Sequence, residues 1–141
     1  MEANTQKQLE IAVKAAAKLN GSDQIAIAVG ELFPLADVFL LVSGDVERNV
    51  QAIAREIEDE LNQNGVKTLR REGREGGRWI LLDFGDLIVH VFHREERDYY
   101  ELERLWSDCE QLDLSDYIAE GSRVDPVAGA AGESSDSLPA N

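Results

Sequence analysis

Leu9, Val13, Ala16 and Leu19 recur at helical spacing among lysines and glutamines, and Asn20-Gly21 supplies a stop, so residues 5–19 are expected to form an amphipathic first helix. Two short apolar runs follow, "QIAIAV" at 24–29 and "DVFLLVS" at 37–43, joined by "GELFPLA", where Gly30 and Pro34 interrupt regular structure; they predict two strands. After Ser43-Gly44-Asp45 the period changes. Val46, Val50, Ile53, Ile57 and Leu61 lie on one helical face with Arg and Glu between them, and Asn64-Gly65 ends that helix. "VKTLRRE" is a third strand candidate, before the Gly-rich "EGREGGR". Residues 79–84 and 86–92 then read as two nearly continuous apolar strands meeting at Gly85-Asp86, an antiparallel hairpin expected to be central and covered on both faces. From Asp98 the helical period returns with Tyr99, Leu102, Leu105 and Trp106, and Asp98 with Glu101 has the spacing of a capping box, which predicts a helix from 98 to about Cys109.

The order α-β-β-α-β-β-β-α predicts an α/β sandwich, a mixed sheet of about five strands flanked by helices, whose strand order the pattern leaves open. Residues 1–120 are expected to be one domain. Residues 121–141, rich in Gly, Ala, Ser and Pro, are expected to be a disordered tail. A chain of 141 residues has room for a single core, and it carries no apolar run approaching the roughly 20 residues of a membrane span. The N-terminus, "MEANTQKQLE", lacks the basic and apolar regions of a secretory signal, so a cytoplasmic location is expected.

Charge narrows the partners. There are 28 acids against 14 bases, a net −14 spread along the chain, which disfavours direct binding to nucleic acid and favours a basic protein partner. An acidic surface also serves solubility alone. Cys109 is the single cysteine, so no internal disulfide and no thiolate metal cluster can form; it is expected to be a small packing residue.

The catalytic readings fail on context. Asp83-Phe84-Gly85 matches the kinase metal-binding tripeptide, but no catalytic loop precedes it and no Gly-rich nucleotide loop is present. "VSGDVERN" leads from a strand into a helix, where phosphate can bind, yet Glu47, Asp83 and Asp86 supply no close acidic pair on one strand face to hold magnesium. His90 and His93 point to opposite faces of their strand, and a partly buried, hydrogen-bonded His90 with a surface His93 is expected rather than a metal site. No catalytic residue, cofactor or metal is expected, and the chain is not expected to be an enzyme.

"ADVFLLVSG", the helix opening with Arg48, "GRWILLDFGDLIVHVFH" and "ERDYYELERLW" together resemble the ribosomal silencing factor family, also called Iojap-like proteins, over about residues 5–110. The resemblance implies a fold similar to nucleotidyltransferases without their catalytic acids. It also implies binding to the large ribosomal subunit through its fourteenth protein, a basic protein at the subunit interface, and so a block to small-subunit joining. Organellar relatives assist large-subunit assembly. Trp79 matches the family's tryptophan, Asp83 and Asp86 its two strand-flanking acids, and Tyr100 the tyrosine of its Phe-Tyr pair. At the second helix, Glu47-Arg48-Asn49 departs from the family's usual Asn-Arg opening.

Trp79, Leu81 and Asp83 alternate onto one strand face, which combines apolar anchors with a charge for a basic partner. The expected partner-binding residues are Trp79, Leu81, Asp83, Asp86 and Tyr100. Trp79 and Tyr100 also suit a core, and Leu102, Leu105 and Trp106 are assigned to it. Two other functions stay open: a nucleotide-binding or nucleotidyl-transfer enzyme on the same fold, and a self-associating domain that forms a homodimer when free.

Overall fold

The computed structural model describes residues 2–73, 77–100 and 102–123; the side chains of 98–100, 102 and 103 lie outside that description. In chain order the elements are α1 (Ala3–Lys18), β1 (Ser22–Ala28), β2 (Val38–Gly44), α2 (Glu47–Gln63), β3 (Arg70–Gly73), β4 (Trp79–Asp83), β5 (Leu87–His93), α3 (Arg94–Tyr100), α4 (Leu102–Leu105), β6 (Glu110–Leu112) and α5 (Ser115–Ser122).

The strands form one mixed sheet in the order β3-β4-β5-β2-β1-β6. β2 and β5 run parallel at its centre, Leu41 beside His90, and each of the other neighbouring pairs is antiparallel. The β4–β5 hairpin forms as the sequence predicts. Its turn is closed by the Asp83 carboxylate, which accepts from the Gly85 N–H at 2.8 Å, and by the Phe84 N–H donating to the Leu87 carbonyl at 2.9 Å. Gly85 has φ +95°, a conformation that side chains with a Cβ rarely adopt.

Strand alternation gives the sheet two unlike faces. One carries Leu40, Val42, Ile80, Leu82, Val89 and Val91 against Leu9 and Val13 of α1 and Ile53, Ile57 and Leu61 of α2. Taking each such aliphatic side chain out of water contributes roughly 1.5–3 kcal/mol, so this layer supplies most of the cohesion. The other face carries Ile27, Phe39, Leu41, Ile88 and Phe92, and Phe33 and Trp106 pack edge-on against Phe39 at ring distances of 5.2 and 5.3 Å. No helix among the described residues is long and apolar enough to cross a membrane.

Several expectations are corrected. Among the described residues the sheet has six strands rather than about five, because Glu110–Leu112 pairs with the outer edge of β1. The helix expected from Asp98 begins at Arg94, directly after β5, and helical structure ends at Leu105, short of Cys109. The Glu101 half of the expected capping box lies outside the described residues. Leu105 is not in the core: it is 72% exposed, while its neighbour Trp106 turns inward onto Phe33 and Phe39. The side chain of Leu102 is outside the description.

Val46, expected on the buried face of α2, stands at its N-cap position and is exposed, since the helix begins only at Glu47. β5 is covered on both faces, but β4 is not: Ile80 and Leu82 are buried and Trp79, Leu81 and Asp83 only half so. His93 is buried rather than a surface residue, its Nδ1 accepting from the Glu95 N–H at 3.2 Å.

The last helix, α5, ends at Ser122, two residues beyond position 120. In α5, Gly121 lies so close to α1 that a Cβ there would sit 2.6 Å from the Lys14 carbonyl oxygen. Lys14 also pairs with Glu120 at 2.8 Å, but exposed pairs of this kind contribute little, so close packing holds α5 in place. Most of the expected tail, residues 124–141, lies outside the described residues.

Candidate functional site

The half of the second sheet face away from Phe33 and Trp106 is formed by β4 and the edge strand β3. Antiparallel register puts Trp79 opposite Phe92, Leu81 opposite His90 and Asp83 opposite Ile88, and on the other side Glu72 opposite Leu81 and Arg70 opposite Asp83. Directly paired residues project to the same side of a sheet, so these side chains share one surface. Trp79, Leu81, Glu72 and Gly73 line a shallow hollow of about 280 Å³.

Rings of β5 hold the tryptophan. Its indole packs on Phe92 with ring centroids 4.9 Å apart, and its Nε1–H donates to His90 Nδ1 at 3.3 Å. His90 is 7% exposed and also packs against Phe39 at 5.2 Å. Burial pushes its pKa down to about 4, so the ring is neutral at physiological pH. His90 is thus buried and hydrogen-bonded, as the sequence suggests.

One oxygen of Asp83 is committed to the hairpin turn. The carboxylate therefore has two roles, closing the turn and placing a negative charge beside Leu81. On β3 the exposed side chains of Arg70 and Glu72 form an ion pair at 3.3 Å, at the rim of the same surface. Asp86 does not join the strand face. It is exposed in the turn, and its main-chain carbonyl accepts from the N–H groups of Asp37 at 2.9 Å and Val38 at 3.1 Å, fastening the hairpin to the start of β2. Tyr100 closes α3, and its side chain lies outside the described residues.

Glu72, Arg70 and Gly73 escaped the sequence reading. Period-two alternation places Arg70 and Glu72 on one face of β3, but only the β3–β4 register shows it to be the face of Leu81 and Asp83.

The strand-to-helix junction after β2 is packed rather than open. A Cβ at Gly44 would lie 2.9 Å from both Asn49 Oδ1 and Val50 Cγ2, and Asn49 Oδ1 accepts from the Asp45 N–H at 3.1 Å. Glu47 is turned to Arg78, which also binds Glu95 and Glu96, both at 3.2 Å. This knot joins the starts of α2, β4 and α3. Among the described residues, no group of three or more His, Cys, Asp or Glu side chains is arranged to hold a metal ion.

Residues 2–137 match the model of a protein family described as "Ribosomal silencing factor during starvation". The chain is 42% identical over 111 residues to the ribosomal silencing factor RsfS of Bacillus subtilis, covering 79% of this chain and 94% of that one. A crystal structure of a Chromobacterium violaceum protein superposes with a TM-score of 0.71 at 36% identity, over 76% of this chain and 88% of that one. One from Bacillus halodurans gives 0.69 at 38% identity, over 77% and 99%.

Proposed function

The chain belongs to the ribosomal silencing factor family, and from that premise we propose that it binds the large ribosomal subunit and blocks its association with the small one. The contact is the β3–β4 face, made to a basic ribosomal protein at the subunit interface, the fourteenth of the large subunit. The observation that carries this reading is the arrangement of Trp79 and Leu81, half-exposed on a rigid strand with Asp83 and Glu72 beside them. Apolar anchors with carboxylates beside them suit a partner whose exposed surface is apolar at its centre and cationic at its edge. The net charge of −14 assists approach to a basic protein and resists RNA, which confines contact to a patch where protein is exposed.

Silencing on these terms needs only bulk at the interface. The protein acts by occupancy, without catalysis, in the cytoplasm, and its reduction of translation follows from the number of large subunits it covers. A homodimer of the free protein is compatible with this reading, because the same apolar face could be covered until a subunit displaces it.

Co-sedimentation with purified large subunits tests the contact. Asp83→Lys would remove the turn acceptor along with the charge, so Asp83→Asn is the cleaner variant: its amide oxygen still accepts from Gly85. The expected result is an affinity loss of about fivefold that shrinks at high salt, because the lost interaction is a charge pair at the rim. Unchanged affinity at low salt would take Asp83 out of the contact.

A further inference from the structure

His90 sits beneath the two apolar anchors: Leu81 is its cross-strand partner, and Trp79 donates to its Nδ1. An Nδ1 that accepts a hydrogen bond in a neutral imidazole requires the proton on Nε2. That Nε2 is buried and has no hydrogen-bond partner among the described residues, an arrangement that destabilises a folded protein. The ring lies among Phe39, Trp79 and Phe92, nearly parallel to Phe92, where a phenylalanine would satisfy packing without burying an unpaired N–H. A polar ring in such a place is accounted for by what its other nitrogen does.

We propose that His90 is a positioning residue for the partner-binding face, holding Trp79 in one rotamer with its indole N–H turned inward so that the exposed part of the ring is apolar and fixed. The inference rests on the functional reading above. Without this acceptor the indole N–H loses its hydrogen bond to β5, and the ring regains freedom about its side-chain torsions. Fixing a side chain before association removes an ordering cost from binding, and keeping the N–H satisfied internally avoids desolvating it when the partner covers the strand. Phe92 behind and His90 beside constrain the ring in two directions, which one packing contact alone would not do.

The test compares the unaltered protein, His90→Phe and His90→Asn, whose amide oxygen offers an acceptor close to the position of Nδ1. In the free protein the Trp79 indole N–H is observed by ¹⁵N–¹H NMR and assigned from its absence in Trp79→Phe. It should exchange slowly with solvent in the unaltered protein, exchange faster in His90→Phe and recover in His90→Asn. Affinity for the large subunit should fall about three- to tenfold in His90→Phe and return in part in His90→Asn, the range expected for ordering one side chain. A residue that merely packs would change stability without moving the indole signal. The proposal is overturned if the indole exchanges freely in the unaltered protein, or if folded His90→Phe binds as tightly as the original. The indole measurement needs no ribosome, so failure of the subunit to bind at all counts against the functional reading and is seen separately.

Discussion

Trp79→Ala is expected to lower affinity for the large ribosomal subunit about thirtyfold or more, the loss typical of truncating a central aromatic anchor. Trp79 is a large side chain of β4 left half-buried on the sheet face opposite α1 and α2, and it stands on a floor of Phe92 and His90. Truncation would remove apolar area from the proposed partner contact and strip His90 Nδ1 of its donor. The helical layer, with Leu9, Val13, Ile53, Ile57 and Leu61, lies on the other side of the sheet and keeps its packing, so the variant should fold with a lowered melting temperature. Binding is then measured below that temperature, with circular dichroism reporting the fold. A folded variant that binds with the original affinity would remove Trp79 from the site.

The second large effect is on stability against pH. His90 has its folded pKa pushed down to about 4 by burial, against an ordinary value of 6.5. Between these values the unfolded chain takes up a proton that the folded chain refuses, so stability should be intact above about pH 6.5 and fall as the pH drops towards 4. Below the folded pKa this group causes no further loss. The full effect of the shift is about 3 kcal/mol. Urea unfolding at a series of pH values checks it, with His90→Phe as the reference: the variant should lose less stability on acidification, and the difference should widen between about pH 6.5 and pH 4 and then level off. Parallel profiles for the two proteins would mean that His90 is not the group refusing the proton.

The parts legible in the sequence are those governed by one local rule. The spacing of Val50, Ile53, Ile57 and Leu61 fixes α2 and its buried face, and the apolar runs around Gly85 fix the β4–β5 hairpin. Period-two alternation puts Trp79, Leu81 and Asp83 on one face without knowledge of the fold. What escaped depends on distant partners. Glu110–Leu112 has no strand pattern of its own and is a strand because β1 offers a free edge. α5 is short, and its place is set by how closely Gly121 approaches α1. Leu105 closes α4 and Trp106 follows it, and only the aromatic pair Phe33 and Phe39 decides which turns inward. The contributions of Glu72 and His90 to the site follow from strand register, which no local pattern encodes.

The most direct measurement is of subunit joining itself. Separated large and small subunits are mixed with increasing amounts of the protein, at a magnesium concentration that normally lets them associate, and resolved on a sucrose gradient. The joined-ribosome peak should fall as the protein appears with the large subunit, and Trp79→Ala should restore the peak at the same concentrations. A protein that stays at the top of the gradient while joining proceeds unchanged would contradict the silencing mechanism.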